Sequence, residues 1–430
     1  MRRRFFLYLL TALLLAPLAL AGGLRDSIAA LEGVSRVEEL HTERYAGKYL
    51  VHITQPLDHS RPEAGSFTQR VVVCHAGTDR PTVIVTEGYG GNYAMLPHYQ
   101  DEVSRLLDAN VIFVEHRYFL ESTPPPPAGW EYLTAANSAS DLHRVTTAFK
   151  ALYQGRWIST GVSKGGQTTL IYRAFFPDDV DLSIPYVAPL CRGVEDGRHE
   201  EFLRRVGTKA QRRRVENFQL EILRRKESMV ARLEAFCREK GLTFRIPMAE
   251  VLDYCVLEYA FAFWQWGTHV NDIPSTADPD DEMLFNHLTD ISGPDYFAEN
   301  QPNAPFFVQA AKELGYYGYD TRPFSRYLTI SGAGGYMEKL MLPDSAGTPA
   351  FDPSTYRRVY EFLRDNDPKI IYIYGELDPW SAVHAPVFRK KTNTRFFFQP
   401  LGSHRARIGN MPEKMRDTIV RLIRQWLDMP

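Results

Sequence analysis

Short runs of β-branched and aromatic residues recur along the chain, each followed by a turn and a stretch with helical spacing. The first is Val71 to Val73. Thr82-Val83-Ile84-Val85-Thr86 and Val111-Ile112-Phe113-Val114 follow, then Trp157 to Thr160 and Leu182 to Val187. Two more lie far downstream, Ile370 to Tyr374 and Phe396 to Phe398. Near-continuous apolar runs suit strands covered on both faces, as in a parallel sheet. Strands alternating with helices predict an α/β fold.

The alternation stops between about Cys191 and Pro323. Residues 201–239 read as helix, with Val215, Phe218, Ile222, Val230, Leu233 and Cys237 at helical spacing. The basic cluster Arg212-Arg213-Arg214 reads as a solvated helix face. Residues 271–281, rich in Pro and Asp, are expected to form a loop. The whole stretch is taken as a helical cap inserted into the sheet domain. That divides the chain into 22–190, the first part of the core; 191–324, the cap; and 325–430, the second part of the core.

Composition changes this picture little. A chain of 430 residues, 44% hydrophobic and 24% charged, has enough material for one large core and an insertion. A net charge of -2 creates no field favouring nucleic acid or an anionic membrane. The N-terminus says more. Arg2, Arg3 and Arg4 precede an apolar run from Phe5 to Ala19, and Ala19-Leu20-Ala21 reads as a small-x-small cleavage site. Residues 1–21 are therefore expected to be a cleaved export signal, too short to span a bilayer comfortably, which leaves no membrane segment in the mature chain. Export permits disulfides. Cys74, Cys191, Cys237 and Cys255 allow three pairings, of which Cys237 with Cys255 is favoured because the two are close in sequence. No clustered His/Cys pattern calls for a metal, and nothing calls for a cofactor.

The chemistry concentrates in three loops. Gly161-Val162-Ser163-Lys164-Gly165-Gly166 matches G-x-S-x-G, with a strand before it and a helix-like stretch after it. A sharp strand-to-helix turn exposes the serine hydroxyl at the top of a sheet. A serine nucleophile needs a base, and the base an orienting carboxylate; in this type of fold they follow the serine in the order acid, then histidine. The strand ending at Tyr374 runs into Gly375-Glu376-Leu377-Asp378-Pro379-Trp380, so Asp378 is the candidate acid, with Glu376 as the fallback. The strand ending at Phe398 runs into Pro400-Leu401-Gly402-Ser403-His404, so His404 is the candidate base and His384 its competitor. An oxyanion needs fixed N–H donors. One is expected from the backbone of Lys164, and the other from the loop Glu87-Gly88-Tyr89-Gly90-Gly91, at Gly88 or Tyr89.

Several of these segments are similar to those of the proline-directed serine exopeptidases. Gln55-Pro56-Leu57-Asp58-His59, Glu115-His116-Arg117-Tyr118, Tyr132-Leu133-Thr134, Glu313-Leu314-Gly315-Tyr316-Tyr317 and Leu377-Asp378-Pro379-Trp380 resemble lysosomal prolyl carboxypeptidase and dipeptidyl peptidase II. The run Glu258 to Gly267 resembles the secreted bacterial prolyl tri/tetrapeptidyl aminopeptidases more closely. The lysosomal enzymes carry Gly-Gly-Ser-Tyr-Gly-Gly at the elbow, whereas Lys164 follows the serine here, so the bacterial family is preferred. The similarity covers nearly the whole mature chain.

This resemblance implies an α/β-hydrolase core under a helical cap, and release of short N-terminal peptides with proline at the cleaved position. It implies Phe263, Trp264 and Trp266 as walls of a proline pocket, where a flat ring packs on aromatic faces. A free α-ammonium entering the cleft needs a facing carboxylate. Glu258 is the first choice for it, ahead of Glu87 and Glu313. The partner is a peptide; oligomeric state is left open. A secreted esterase or lipase of the same fold, a proline-directed carboxypeptidase and an inert binding protein remain as alternatives.

Overall fold

The computed structural model describes residues 23–429 except 276 and 279. The expected export signal at 1–21 lies outside the described residues.

Among the described residues nine strands form one sheet: β1 (Val34–Glu39), β2 (Gly47–Pro56), β3 (Ser66–His75), β4 (Thr82–Thr86), β5 (Asn110–Val114), β6 (Trp157–Val162), β7 (Leu182–Tyr186), β8 (Ile370–Gly375) and β9 (Thr394–Gln399). Their order across the sheet is β1-β2-β3-β5-β4-β6-β7-β8-β9. β1, β2, β3 and β5 pair antiparallel in succession, and every pair from β5 to β9 is parallel. All residues of β4, β5, β7 and β8 are buried, which is what their unbroken apolar runs require. The fold is an α/β-hydrolase core.

β1 and β2 were not expected. β1 is mostly exposed, and β2 carries Lys48, His52 and Gln55 among its apolar residues. All three are buried, and two of them are hydrogen-bonded: Lys48 Nζ donates to the Leu96 carbonyl and Gln55 Nε2 to Gln69 Oε1. Such a strand has no apolar signature to read.

From β4 the chain turns to β5 on one side and, later, β6 settles on the other. The loops leaving β4 and β6 therefore diverge, opening a crevice at the carboxyl ends of the strands. Two buried ion pairs shape this edge. Arg117 is fully buried and grips Asp141 with two bonds of 2.7 Å while donating to the carbonyls of Leu57 and Tyr132. Glu115 pairs with Arg70 and accepts from the Gly91 N–H at 2.7 Å, which pins the loop after β4.

Between β7 and β8 lie the helices Arg198–Leu203, Lys209–Arg224, Lys226–Lys240, Met248–Trp266 and Asp281–Ser292. The single helix expected over 201–239 is three helices. Gly207 adopts a left-handed φ of 60°, where a Cβ would strike the Trp264 ring, and Thr208 with Gln211 forms a capping box that restarts the helix. A second break falls at Arg225. One apolar cluster joins Phe218, Leu233, Tyr254, Tyr259 and Phe263 of these helices to Tyr336, Met337 and Leu340, which lie beyond residue 324.

All four cysteines are buried free thiols. The favoured Cys237–Cys255 bond is not formed; both side chains sit in the same apolar cluster, where a thiol packs as a small hydrophobe. Among the described residues no helix is long and apolar enough to cross a membrane.

Candidate active site

Ser163 sits between β6 and the helix Lys164–Phe175 with φ 59° and ψ -120°, a strained conformation for a residue with a side chain. Two neighbours must be glycine for the turn to close. A Cβ on Gly161 would lie 2.3 Å from the Gly165 carbonyl oxygen, and one on Gly165 would lie 2.8 Å from that of Thr86. The Ser163 N–H is held by the Tyr186 carbonyl at 2.9 Å. The Lys164 N–H, at the helix N-terminus, makes no hydrogen bond among the described residues and is available to an anion.

The candidate acid and base meet. Asp378 is fully buried; its Oδ2 lies 2.7 Å from His404 Nδ1, and its Oδ1 accepts from the Trp380 N–H at 3.1 Å. This fixes which ring nitrogen faces the carboxylate and leaves Nε2 for the cavity. His404 is also held from the helix Met248–Trp266, since its N–H donates to the Gln265 carbonyl at 2.9 Å. The competitors stand elsewhere. Glu376 accepts from the Leu401 N–H, and His384 packs against Tyr374, Phe396 and Phe398 with Nδ1 on the Ala385 carbonyl. Ser163 and His404 line one cavity of about 1090 Å³ without a hydrogen bond between them among the described residues; such bonds commonly tighten only when substrate binds.

The three glutamates have different surroundings. Glu258 lines the cavity, is 5% exposed, and accepts from the hydroxyls of Tyr317 and Tyr319 at 2.9 Å each. Burial pushes its carboxyl from 4.5 up to about 8 against the pull of those two hydroxyls. Glu313 does not reach the cavity. It accepts from the Ala135 N–H and the Thr355 hydroxyl, and so ties together the ends of the helices Ala135–Phe149 and Ser354–Asp365. The expectation that it could anchor substrate is corrected: it is a structural clamp.

Glu87 lines the cavity but folds back on its own loop. It accepts from the Tyr89 N–H at 3.0 Å and the Tyr93 hydroxyl at 2.6 Å, and burial raises its carboxyl. The expected donor at Tyr89 is therefore not open as the structure stands, because its N–H is drawn to the Glu87 carboxylate. Lys164 has an unexpected second contact. Its buried ammonium donates to the Gly88 carbonyl at 2.7 Å beneath the rings of Tyr89 and Phe119. Burial lowers it to about 7, although Glu87 works the other way.

The aromatic assignments need correction. In the helix Met248–Trp266, Glu258, Ala262, Gln265 and Trp266 line the cavity. Residues four and seven positions after Glu258 share its face. Phe263 and Trp264 point elsewhere: Phe263 is fully buried against Tyr259, and Trp264 lines a separate hollow of about 260 Å³ inside the cap. Trp266 shares the aromatic wall of this cavity with Phe306, Phe307, Tyr316, Tyr317 and Trp380. Tyr316 and Tyr317 are stacked at 4.3 Å, and Trp380 lies 5.3 Å from Tyr316. The Glu313-Leu314-Gly315-Tyr316-Tyr317 segment carried this signal, but its glutamate drew attention from its tyrosines.

Residues 18–428 match the sequence model described as PS-10 peptidase S37. The chain is 32% identical over 419 residues to a prolyl tri/tetrapeptidyl aminopeptidase of Streptomyces mobaraensis, covering 94% of this chain and 84% of that one. Among solved structures, a proline iminopeptidase of Mycobacterium smegmatis overlaps with a TM-score of 0.41 and 13% identity, over 87% of this chain and 98% of the other; an overlap so loose carries no functional weight. The match over nearly the whole sequence, on a core whose serine turn is built as described, is what places the protein: the chain belongs to the PS-10 peptidase S37 family and is a serine peptidase.

Proposed function

We propose that this peptidase is exported and releases short N-terminal peptides, cutting after proline, with Ser163 as nucleophile, His404 as general base and acid, and Asp378 as the group that orients His404. The observation that carries the reading is one cavity holding Ser163 and His404 at one place and Glu258, buried under two tyrosine hydroxyls, at another. His404 Nε2 takes the Ser163 proton as the hydroxyl attacks the scissile carbonyl, and returns it to the departing amine. The resulting acyl-enzyme is then cleaved by water. The Lys164 N–H, and that of Tyr89 once the Glu87 side chain moves off, stabilise the oxyanion.

Glu258 supplies the choice of chain end. A peptide α-amine titrates near ~8, close to the value of about 8 for this carboxyl. The two hold a single proton between them, so an ion pair forms without burying net charge. Proline's ring is assigned to the wall of Phe306, Tyr316 and Trp380, where flat apolar surface stacks on aromatic faces. The cap is taken as the insertion from 191 to 324, to which Tyr336, Met337 and Leu340 add their packing.

The test is a matched pair of substrates, Ala-Ala-Pro-anilide with a free and with an acetylated N-terminus. The reading expects strong suppression by acetylation. Equal turnover of the two would point to an endopeptidase or esterase, and release from the C-terminal end of a longer peptide to a carboxypeptidase.

A further inference from the structure

We infer that the leaving-group side of the cleft carries a carboxylate-binding shelf, Arg405 beside Trp266, which favours peptides with an acidic residue just after the cut. This rests on the function proposed above. A general acid must stand beside the amine it protonates. The first residue after the cut therefore lies at the His404 ring, while the acylating segment runs towards Glu258.

The surface at that ring is distinctive. Trp266 lines the cavity, is 46% exposed, and meets the His404 ring edge-on at 6.0 Å. Arg405 follows the base directly, and its guanidinium lies 5.9 Å from the Trp266 ring centre. A guanidinium that meets only a ring spends none of its N–H donors there, and its planar fork stays open to a bidentate acceptor.

The other charges on this wall are already engaged. The Arg407 guanidinium donates to the carbonyls of His404 at 3.2 Å and Ala406 at 2.8 Å. Glu102 accepts from the N–H groups of Ile408 and Gly409 and from the Tyr186 hydroxyl. Asp101 accepts from the Ser104 N–H. Lys164 is tied to the Gly88 carbonyl. Arg405 makes no ion pair and no side-chain hydrogen bond among the described residues, yet it lines the cavity. It is an exposed cation beside an aromatic ring, with unused donors, next to the group that protonates the leaving amine. The complementary chemistry is a carboxylate on the first or second residue of the departing peptide.

The experiment uses three free-amine peptides, Ala-Ala-Pro-Xaa-Ala-amide with Glu, Gln or Lys at Xaa, competed in one vessel and read by mass spectrometry. The C-terminal amide removes any other carboxylate from the leaving fragment. The native enzyme should favour Glu over Lys by roughly three- to ten-fold in kcat/KM at low salt, the range open to an exposed but preoriented pair, and the preference should shrink in high salt. Arg405→Gln should bring the Glu/Lys ratio close to one, and Arg405→Glu should invert it. Equal cleavage of all three peptides by the native enzyme would overturn the inference and leave the proposed function standing. A preference that persists in Arg405→Gln would overturn it as well. Failure to cut any of the three after proline would overturn the functional reading and this inference with it.

Discussion

Replacing Glu258 by glutamine removes a titrating group from the cap while leaving its shape, and the consequences for stability and for catalysis have opposite signs. In the folded protein burial holds this carboxyl at about 8 instead of 4.5. Below pH 4.5 it is protonated in both folded and unfolded chains, and pH has no effect through it. Between 4.5 and about 8 the folded state keeps a proton that the unfolded chain releases, so stability falls as pH rises, and the loss is complete above 8. At about 1.4 kcal/mol per pH unit, the penalty grows by up to roughly 4 kcal/mol between pH 5 and pH 8. Glutamine does not titrate. One amide oxygen in the place of Oε2 can still accept from both Tyr317 and Tyr319, which donate to that atom at 2.9 Å each. The stability of Glu258→Gln relative to the native chain should therefore widen in the variant's favour by that amount from pH 5 to pH 8. Urea melts of both proteins across this range read the difference directly, since the other titrating groups cancel. Activity should move the other way. Losing a charge-assisted bond to the ammonium costs about 1.5–3 kcal/mol, or roughly ten- to a hundred-fold in kcat/KM for free-amine peptides, and far less for acetylated ones. A stability difference that does not change with pH would refute the buried, protonated carboxyl. An equal loss for both substrates would refute its role at the amine.

Other outcomes follow from the same structure. Ser163→Ala should leave thermal melting close to native and remove turnover by several orders of magnitude; more than a few per cent residual activity would exclude this serine. His404→Ala should likewise abolish turnover, whereas His384→Ala, whose ring lies among Tyr374, Phe396 and Phe398 outside the cavity, should keep most of it; the reverse would move the base. Arg117→Met takes both guanidinium bonds from buried Asp141 and leaves it only His59 Nε2 at 2.7 Å, so it should lower unfolding stability by up to about 3–5 kcal/mol in denaturant melts, and a loss under about 1 kcal/mol would contradict the structural role given to this pair. All four cysteines should react with a thiol reagent only after denaturation, giving four equivalents per chain; two equivalents would restore a disulfide.

The sheet and the serine turn were readable because buried parallel strands have no polar positions to blur them, and because Gly161 and Gly165 answer to backbone contacts that no other residue could make. The contact between Asp378 and His404 was readable from their places after β8 and β9. What the sequence hid was direction around a helix axis. Phe263, Trp264 and Trp266 are neighbours in the chain, yet they face the cap core, a second hollow and the catalytic cavity respectively. Glu258, Glu87 and Glu313 look alike as letters, but one lies under two tyrosine hydroxyls, one folds back on its own loop, and one clamps two helices. β2 was hidden for the opposite reason, since partnered polar residues inside a strand erase its apolar pattern. The break at Arg225 has no glycine or proline to announce it.

In the proposed reaction Ser163 carries the acylating segment, and this segment is the short N-terminal end of the peptide. It can be read in a single mass. The enzyme is mixed with an excess of Ala-Ala-Pro-Phe-Ala-Ala-Ala-Gly, quenched in acid within milliseconds, digested and mapped. The account predicts an adduct on the peptide containing Ser163 with the mass of Ala-Ala-Pro and no more. An adduct carrying most of the substrate, as a carboxypeptidase would leave, or an adduct on any residue other than Ser163, would contradict it.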